Sequence, residues 1–160
     1  MDRENVWKGY TAQQMNELNR VNDKYKACLD AGKTERECVG IAVQEAEKAG
    51  YVRLEDAKAP LKPGDKVYAV CMDKSIVLFH IGEEPLEKGL NILGAHIDSP
   101  RIDVKQNPLY ESEELAYLDT HYYGGIKKYQ WVTLPLAIHG VVAKKDGTII
   151  KVSIGEKEED

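Results

Sequence analysis

The four histidines of this chain stand at positions 80, 96, 121 and 139, and one of them has a setting that suggests chemistry. His96 sits in Gly94-Ala95-His96-Ile97-Asp98-Ser99-Pro100. Residues 91–96 read as a short, mostly apolar strand ending in small side chains. The imidazole would then fall at the strand's carboxyl end, where open α/β sheets gather their sites. Strand side chains repeat every second residue, which puts Asp98 on the same face as His96. A neutral imidazole is a good zinc ligand, and a carboxylate beside it fixes its tautomer and raises its basicity. The same letters also suit a surface histidine followed by a turn that Asp98 and Ser99 cap. The spacing H-x-D does not by itself decide between the two.

The remaining candidates point elsewhere. His80 shares a strand face with Ile76 and Leu78 and reads as a core or edge histidine. His139, beside Gly140, reads as structural. His121, within Thr120-His121-Tyr122-Tyr123, is open. Ser99 lacks the G-x-S-x-G elbow of a nucleophile, and Gly124-Gly125 before Lys127-Lys128 lacks the spacing of a phosphate loop, so it reads as a turn. Cys28, Cys38 and Cys71 show no C-x-x-C pairing. They are expected as reduced core thiols of a cytoplasmic protein.

The elements that would position these residues follow from local patterns. Thr11 with Gln14, and Thr34 with Glu37, make two capping boxes, the first with Tyr10 and Met15 as a hydrophobic staple. Met15, Leu18, Val21, Tyr25, Cys28 and Leu29 then form one apolar stripe, and Cys38, Ile41, Ala42, Val43, Ala46 and Ala49 form another. Gly32 and Gly50 end the two helices. Beyond residue 61 the period changes to that of strands. Residues 66–72 and 75–81 are expected to form a hairpin across Asp73-Lys74, and residues 136–144 and 148–154 another across Lys145-Asp146-Gly147. Residues 101–114 read as extended and polar, with Pro108 inside and a solvated loop at 111–114. The acidic run from Glu156 to Asp160 reads as a solvated tail.

The 160 residues suffice for one domain or for parts of two. Hydrophobic residues are 42% and charged ones 31%, a globular composition rather than a disordered one. With 22 basic against 27 acidic side chains and no basic run, neither nucleic acid nor an anionic membrane surface is expected as a partner. No apolar stretch approaches the ~20 residues of a membrane span, and the polar first ten residues do not read as a secretory signal.

Three segments carry a resemblance to a known family. Residues 90–110, LNILGAHIDSPRIDVKQNPLY, together with LKPGDKVYAV at 61–70 and THYYGGIKKYQW at 120–131, closely resemble the aspartyl aminopeptidase, or aminopeptidase I, family of zinc metallopeptidases. The resemblance implies an α/β fold: the N-terminal part of a mixed-sheet zinc-peptidase domain (residues 1–102), followed by the first strands of a β-rich inserted dimerisation domain (residues 103–160). It also places His121 in the region that builds subunit contacts. By position, His96 matches a ligand of the family's two-zinc site, and Asp98 matches the catalytic-site carboxylate that orients it. Ser99 and Pro100 complete the motif without an assigned role.

The implied activity is hydrolysis of N-terminal residues from peptides by a homo-oligomer. The other ligands and the general base of the family have no matching motif here, so the chain alone is expected to be inactive and metal-free. Val132-Thr133-Leu134-Pro135 follows Trp131 where acid-preferring members tend to carry an Asp-Arg pair, which puts an acidic preference in doubt. One alternative is a non-catalytic scaffold or oligomerisation protein that keeps the family's N-terminal fold. Another is a weak zinc site made by His96, Asp98 and a symmetry partner.

Overall fold

Both capping boxes form as the sequence predicts. In this computed structural model, which describes residues 3–158, helix α1 (Ala12–Ala31) starts at Thr11: its hydroxyl accepts from the Gln14 amide, and Gln14 Oε1 accepts from the Thr11 amide at 2.9 Å. Helix α2 (Glu35–Lys48) repeats the device with Thr34 and Glu37. Each box satisfies amides that the first helical turn would leave without partners. Between the helices, a Cβ on Gly32 would lie 2.7 Å from Cys38 Sγ and 3.0 Å from the Cys28 carbonyl oxygen, so the close approach requires glycine. Gly50, after α2, takes the left-handed φ of 85° expected of it.

The chain divides into two compact units, Met1–Ile97 and Asp98–Asp160. In the first, strand β1 (Val52–Arg53) runs parallel to β2 (Lys66–Cys71), which pairs antiparallel with β3 (Ser75–His80), giving a mixed sheet in the order β1-β2-β3. The core joins α2 to β2: Val39, Ala46, Val67 and Tyr68 are each no more than 4% exposed. The Tyr68 hydroxyl reaches the edge of this core and donates to Glu47 Oε1 at 2.7 Å, as a buried phenol should. Helix α1 buries no residue of its own; Val21, Tyr25 and Leu29 of its apolar stripe are 57%, 61% and 49% exposed.

Two expectations for this unit need correction. The first hairpin turns at Met72-Asp73, one residue earlier than Asp73-Lys74. Both residues have φ near 55°, and the Lys74 amide donates to the Cys71 carbonyl. That is the mirror-image twist that tight hairpins prefer, and Asp tolerates the left-handed region better than most residues. The second correction matters more: residues 91–96 are not a strand. A strand exists only through hydrogen bonds to a neighbour, and no strand among the described residues forms a ladder with this run. Ile92 is 80% exposed and Leu93 99%.

In the second unit, β4 (Arg101–Ser112) and β5 (Leu115–Tyr123) form a long antiparallel hairpin across Glu113-Glu114, both at positive φ. Glu111 and Ser112 therefore belong to a strand rather than to a loop. The register shifts between Val104 and Leu109, and Pro108 lies in that irregular stretch. Proline has no amide for a regular ladder and is tolerated at such a bulge. After a four-residue helix, α3 (Lys128–Trp131), the expected final hairpin forms from β6 (Ile138–Ala143) and β7 (Ile149–Ile154), with Gly147 at φ 85° in its turn. No described residue of this unit is fully buried. Glu159 and Asp160, at the end of the expected tail, lie outside the described residues.

Candidate functional site

Asp98 is held by a residue 25 positions away: the Tyr123 hydroxyl donates to its Oδ2 at 2.7 Å. The long hairpin makes this contact possible. Arg101, the first residue of β4, pairs in register with Tyr123, the last of β5, so the open end of the hairpin lies next to the irregular Asp98-Ser99-Pro100 segment. The Arg101 guanidinium sits over the Tyr123 ring at 4.2 Å from its centroid. Its Nε donates to Asp103 at 2.7 Å, and Nη1 reaches the Ser99 carbonyl oxygen at 3.4 Å. Gly124 follows at φ 71°, and a Cβ there would stand 3.4 Å from three carbons of Pro100. The D-S-P and Y-G motifs, distant in sequence, thus form one local structure. Sequence reasoning missed it because the hairpin between them was not recognised; pairing the aromatic run at 117–123 with 101–112 would have found it.

The other candidates are placed as follows. His96 is exposed in the irregular stretch before the hairpin, and Asp98 is half-buried. His80 is exposed on β3, an edge of the three-stranded sheet. His121, on β5, pairs in register with Asp103 and lines a shallow concavity with Lys105, Gln106 and Asn107. His139 Nε2 lies 2.8 Å from Glu156 Oε1, tying β6 to the segment after β7, which agrees with a structural role.

The three cysteines are free. Cys38 is half-buried, and burial pushes its thiol pKa up, which keeps it protonated and unreactive. Cys71 is exposed rather than a core thiol, because it ends β2 beside the exposed hairpin turn.

The donor chemistry of His96 suits one coordination position of zinc. The number of donors does not suit a whole site: among the described residues, no group of three or more His, Cys, Asp or Glu side chains could hold a metal ion.

Residues 28–160 match the family described as aminopeptidase I zinc metalloprotease (M18). The chain is 57% identical over 159 residues to a probable M18 family aminopeptidase 1 of Clostridium acetobutylicum, covering 98% of this chain and 34% of that protein. The chain belongs to the M18 family. Another M18 relative, from Thermotoga maritima, is 45% identical over 161 residues, covering all of this chain and 34% of its own length. The crystal structure of aminopeptidase I from Borrelia burgdorferi B31 superposes with a TM-score of 0.92 at 41% identity, over 98% of this chain and 39% of that one. This M18 chain therefore spans about a third of the length of the curated relatives it matches. Its fold is the N-terminal part of the M18 architecture, a mixed α/β unit followed by antiparallel hairpins.

Proposed function

We propose that this chain is the N-terminal portion of a dinuclear zinc aminopeptidase that removes N-terminal residues from peptides. His96 would supply one zinc ligand, and Asp98 the carboxylate that orients its imidazole. The observation that carries this reading is the family match across residues 28–160, supported by the hydrogen bond that holds Asp98. Bound zinc supplies a Lewis acid that polarises the scissile carbonyl. This chain's part is to present an imidazole in one tautomer and to hold the carboxylate beside it. In the same reading, residues 1–102 open the catalytic domain and residues 103–160 begin the inserted domain.

Two surface features support a larger assembly. Val21, Tyr25 and Leu29 of α1, and Leu90, Ile92 and Leu93, are exposed apolar side chains that further chain would shield. The hairpins of the second unit expose Leu109, Leu115, Ile149 and Ile154, a surface suited to contacts within a homo-oligomer. The free thiols fit a cytoplasmic setting.

The test is peptide hydrolysis by the full-length protein. Activity should disappear with a chelator and return with zinc. His96→Ala should cost about a hundredfold or more in zinc affinity, since loss of an outer-shell partner alone costs 10–100-fold. The 160-residue chain alone should bind no zinc and release no amino acid. Chelator-resistant hydrolysis, or equal zinc in His96→Ala and the unaltered protein, would refute the reading.

A further inference from the structure

We propose that Tyr123 is a positioning residue: its hydroxyl fixes the orientation of the Asp98 carboxylate, which in turn orients His96. The proposal rests on the reading of His96 and Asp98 given above. A carboxylate that is to hold an imidazole must itself be held, because the last torsion of an aspartate is broad and only weakly preferred. Outer-shell partners of metal-site histidines fix the ring's tautomer and orientation, so a loosely held partner does this less well. The 2.7 Å separation of Tyr123 Oη and Asp98 Oδ2 suits a phenol donating to a carboxylate. An aspartate accepts at both oxygens, so this bond occupies only part of its capacity.

What separates Tyr123 from an ordinary surface tyrosine is how it is held. Its backbone is the last register pair of the long hairpin, opposite Arg101. Its ring lies under the Arg101 guanidinium at 4.2 Å, and that guanidinium is itself fixed by Asp103 and by the Ser99 carbonyl. The next residue, Gly124, turns against Pro100 at a φ that glycine adopts without strain. The phenol is therefore aimed by a strand, and the strand's end lies against Pro100 in the same segment that carries Asp98. Neighbouring Tyr122 points to the opposite face of β5, as strand alternation requires, and has the Lys128 ammonium over its ring at 4.1 Å instead.

The experiment uses the full-length enzyme and reads zinc affinity, by competition with a chromophoric chelator, beside kcat and KM. Tyr123→Phe keeps the ring under Arg101 and removes only the hydroxyl. It should weaken zinc binding and lower kcat by about tenfold each, the low end of outer-shell losses, with KM within about twofold. Tyr122→Phe should leave all three unchanged. Because Tyr123 acts through Asp98, Tyr123→Phe made in an Asp98→Ala background should cost nothing further. Wild-type zinc affinity in Tyr123→Phe, or an undiminished loss in the Asp98→Ala background, would overturn the proposal while leaving the zinc reading intact. Unchanged zinc affinity in His96→Ala would overturn both.

Discussion

Residues 3–97 and 98–158 reach order by different means. The first unit has a small core in which Val39 and Ala46 of α2 meet Val67 and Tyr68 of β2, all no more than 4% exposed. The second has no fully buried residue and is built of two hairpins, held by their ladders and by cross-strand pairs such as the stacked Tyr110 and Tyr117, with ring centroids 5.2 Å apart. An isolated hairpin is marginal in water, and three strands or a packed face are usually needed for independent stability. In the first unit, then, side-chain burial carries the stability, and single core residues should matter. In the second, backbone pairing carries it, and single side chains should matter less.

Tyr68→Ala is the most direct way to break that comparison. It removes a buried ring at the centre of the first unit, together with the hydrogen bond to Glu47 and the surface under the Arg53 guanidinium. The expected cost is about 3 kcal/mol, as for other large aromatic-to-alanine changes in cores. It would be read as a lower urea midpoint for exchange protection of β2 amides. Tyr68→Phe should retain most of the protection, losing about 1 kcal/mol with the hydroxyl. A cost below 1 kcal/mol for the alanine variant would mean that the four-residue core is not what holds this unit.

Tyr117→Ala is the corresponding probe of the second unit. It deletes one ring of the stacked pair on the β4–β5 hairpin, where Tyr117 is 39% exposed. Such a pair contributes about 0.5–1.5 kcal/mol beyond its area, so exchange protection of β5 amides should fall by about 1 kcal/mol, a third of the Tyr68 effect. An equal loss at the two sites would erase the contrast between the units.

The same contrast explains what could be read in the sequence. The capping boxes of Thr11 and Thr34, the left-handed Gly50, and the final hairpin across Lys145-Asp146-Gly147 are all legible, because each depends on residues within a few positions of one another. The β4–β5 hairpin is not. Its turn, Glu113-Glu114, adopts positive φ without the glycine or asparagine that signals such a turn, and Pro108 lowers the apparent strand character of a run that tolerates it through a bulge. The contact between Asp98 and Tyr123 depends on that pairing and is hidden with it. The run at 91–96 failed for the opposite reason. Its residue types suit a buried strand, but no described strand forms a ladder with it, and Ile92 and Leu93 stay exposed. Residue type reports what a segment is suited to, and only a neighbour turns that into a strand.

Helix α1 offers the smallest effect and the finest test, because it belongs to the cored unit yet has no fully buried residue. One visible tie to α2 is the ion pair from Lys24 to Glu45, which Lys48 joins from within α2. Glu45 has its pKa lowered to about 2, first by the hydrogen bond from Lys24, then by that from Lys48 and by both charges; Lys24 is raised by the same contact. A lowered carboxyl pKa stabilises the folded chain above the ordinary glutamate value of ~4.3, and that contribution is lost as pH falls toward 2. These groups are exposed, so salt should weaken the tie. A carbon-detected NMR titration should place the Glu45 midpoint near 2. Lys24→Met should move it upward, though not fully to ~4.3, because Lys48 remains. A Glu45 midpoint already at ~4.3 in the unaltered chain would mean that the Lys24 contact is not populated. The association of α1 with α2 would then rest on the Gly32 approach and on half-buried residues such as Cys28 and Ile41.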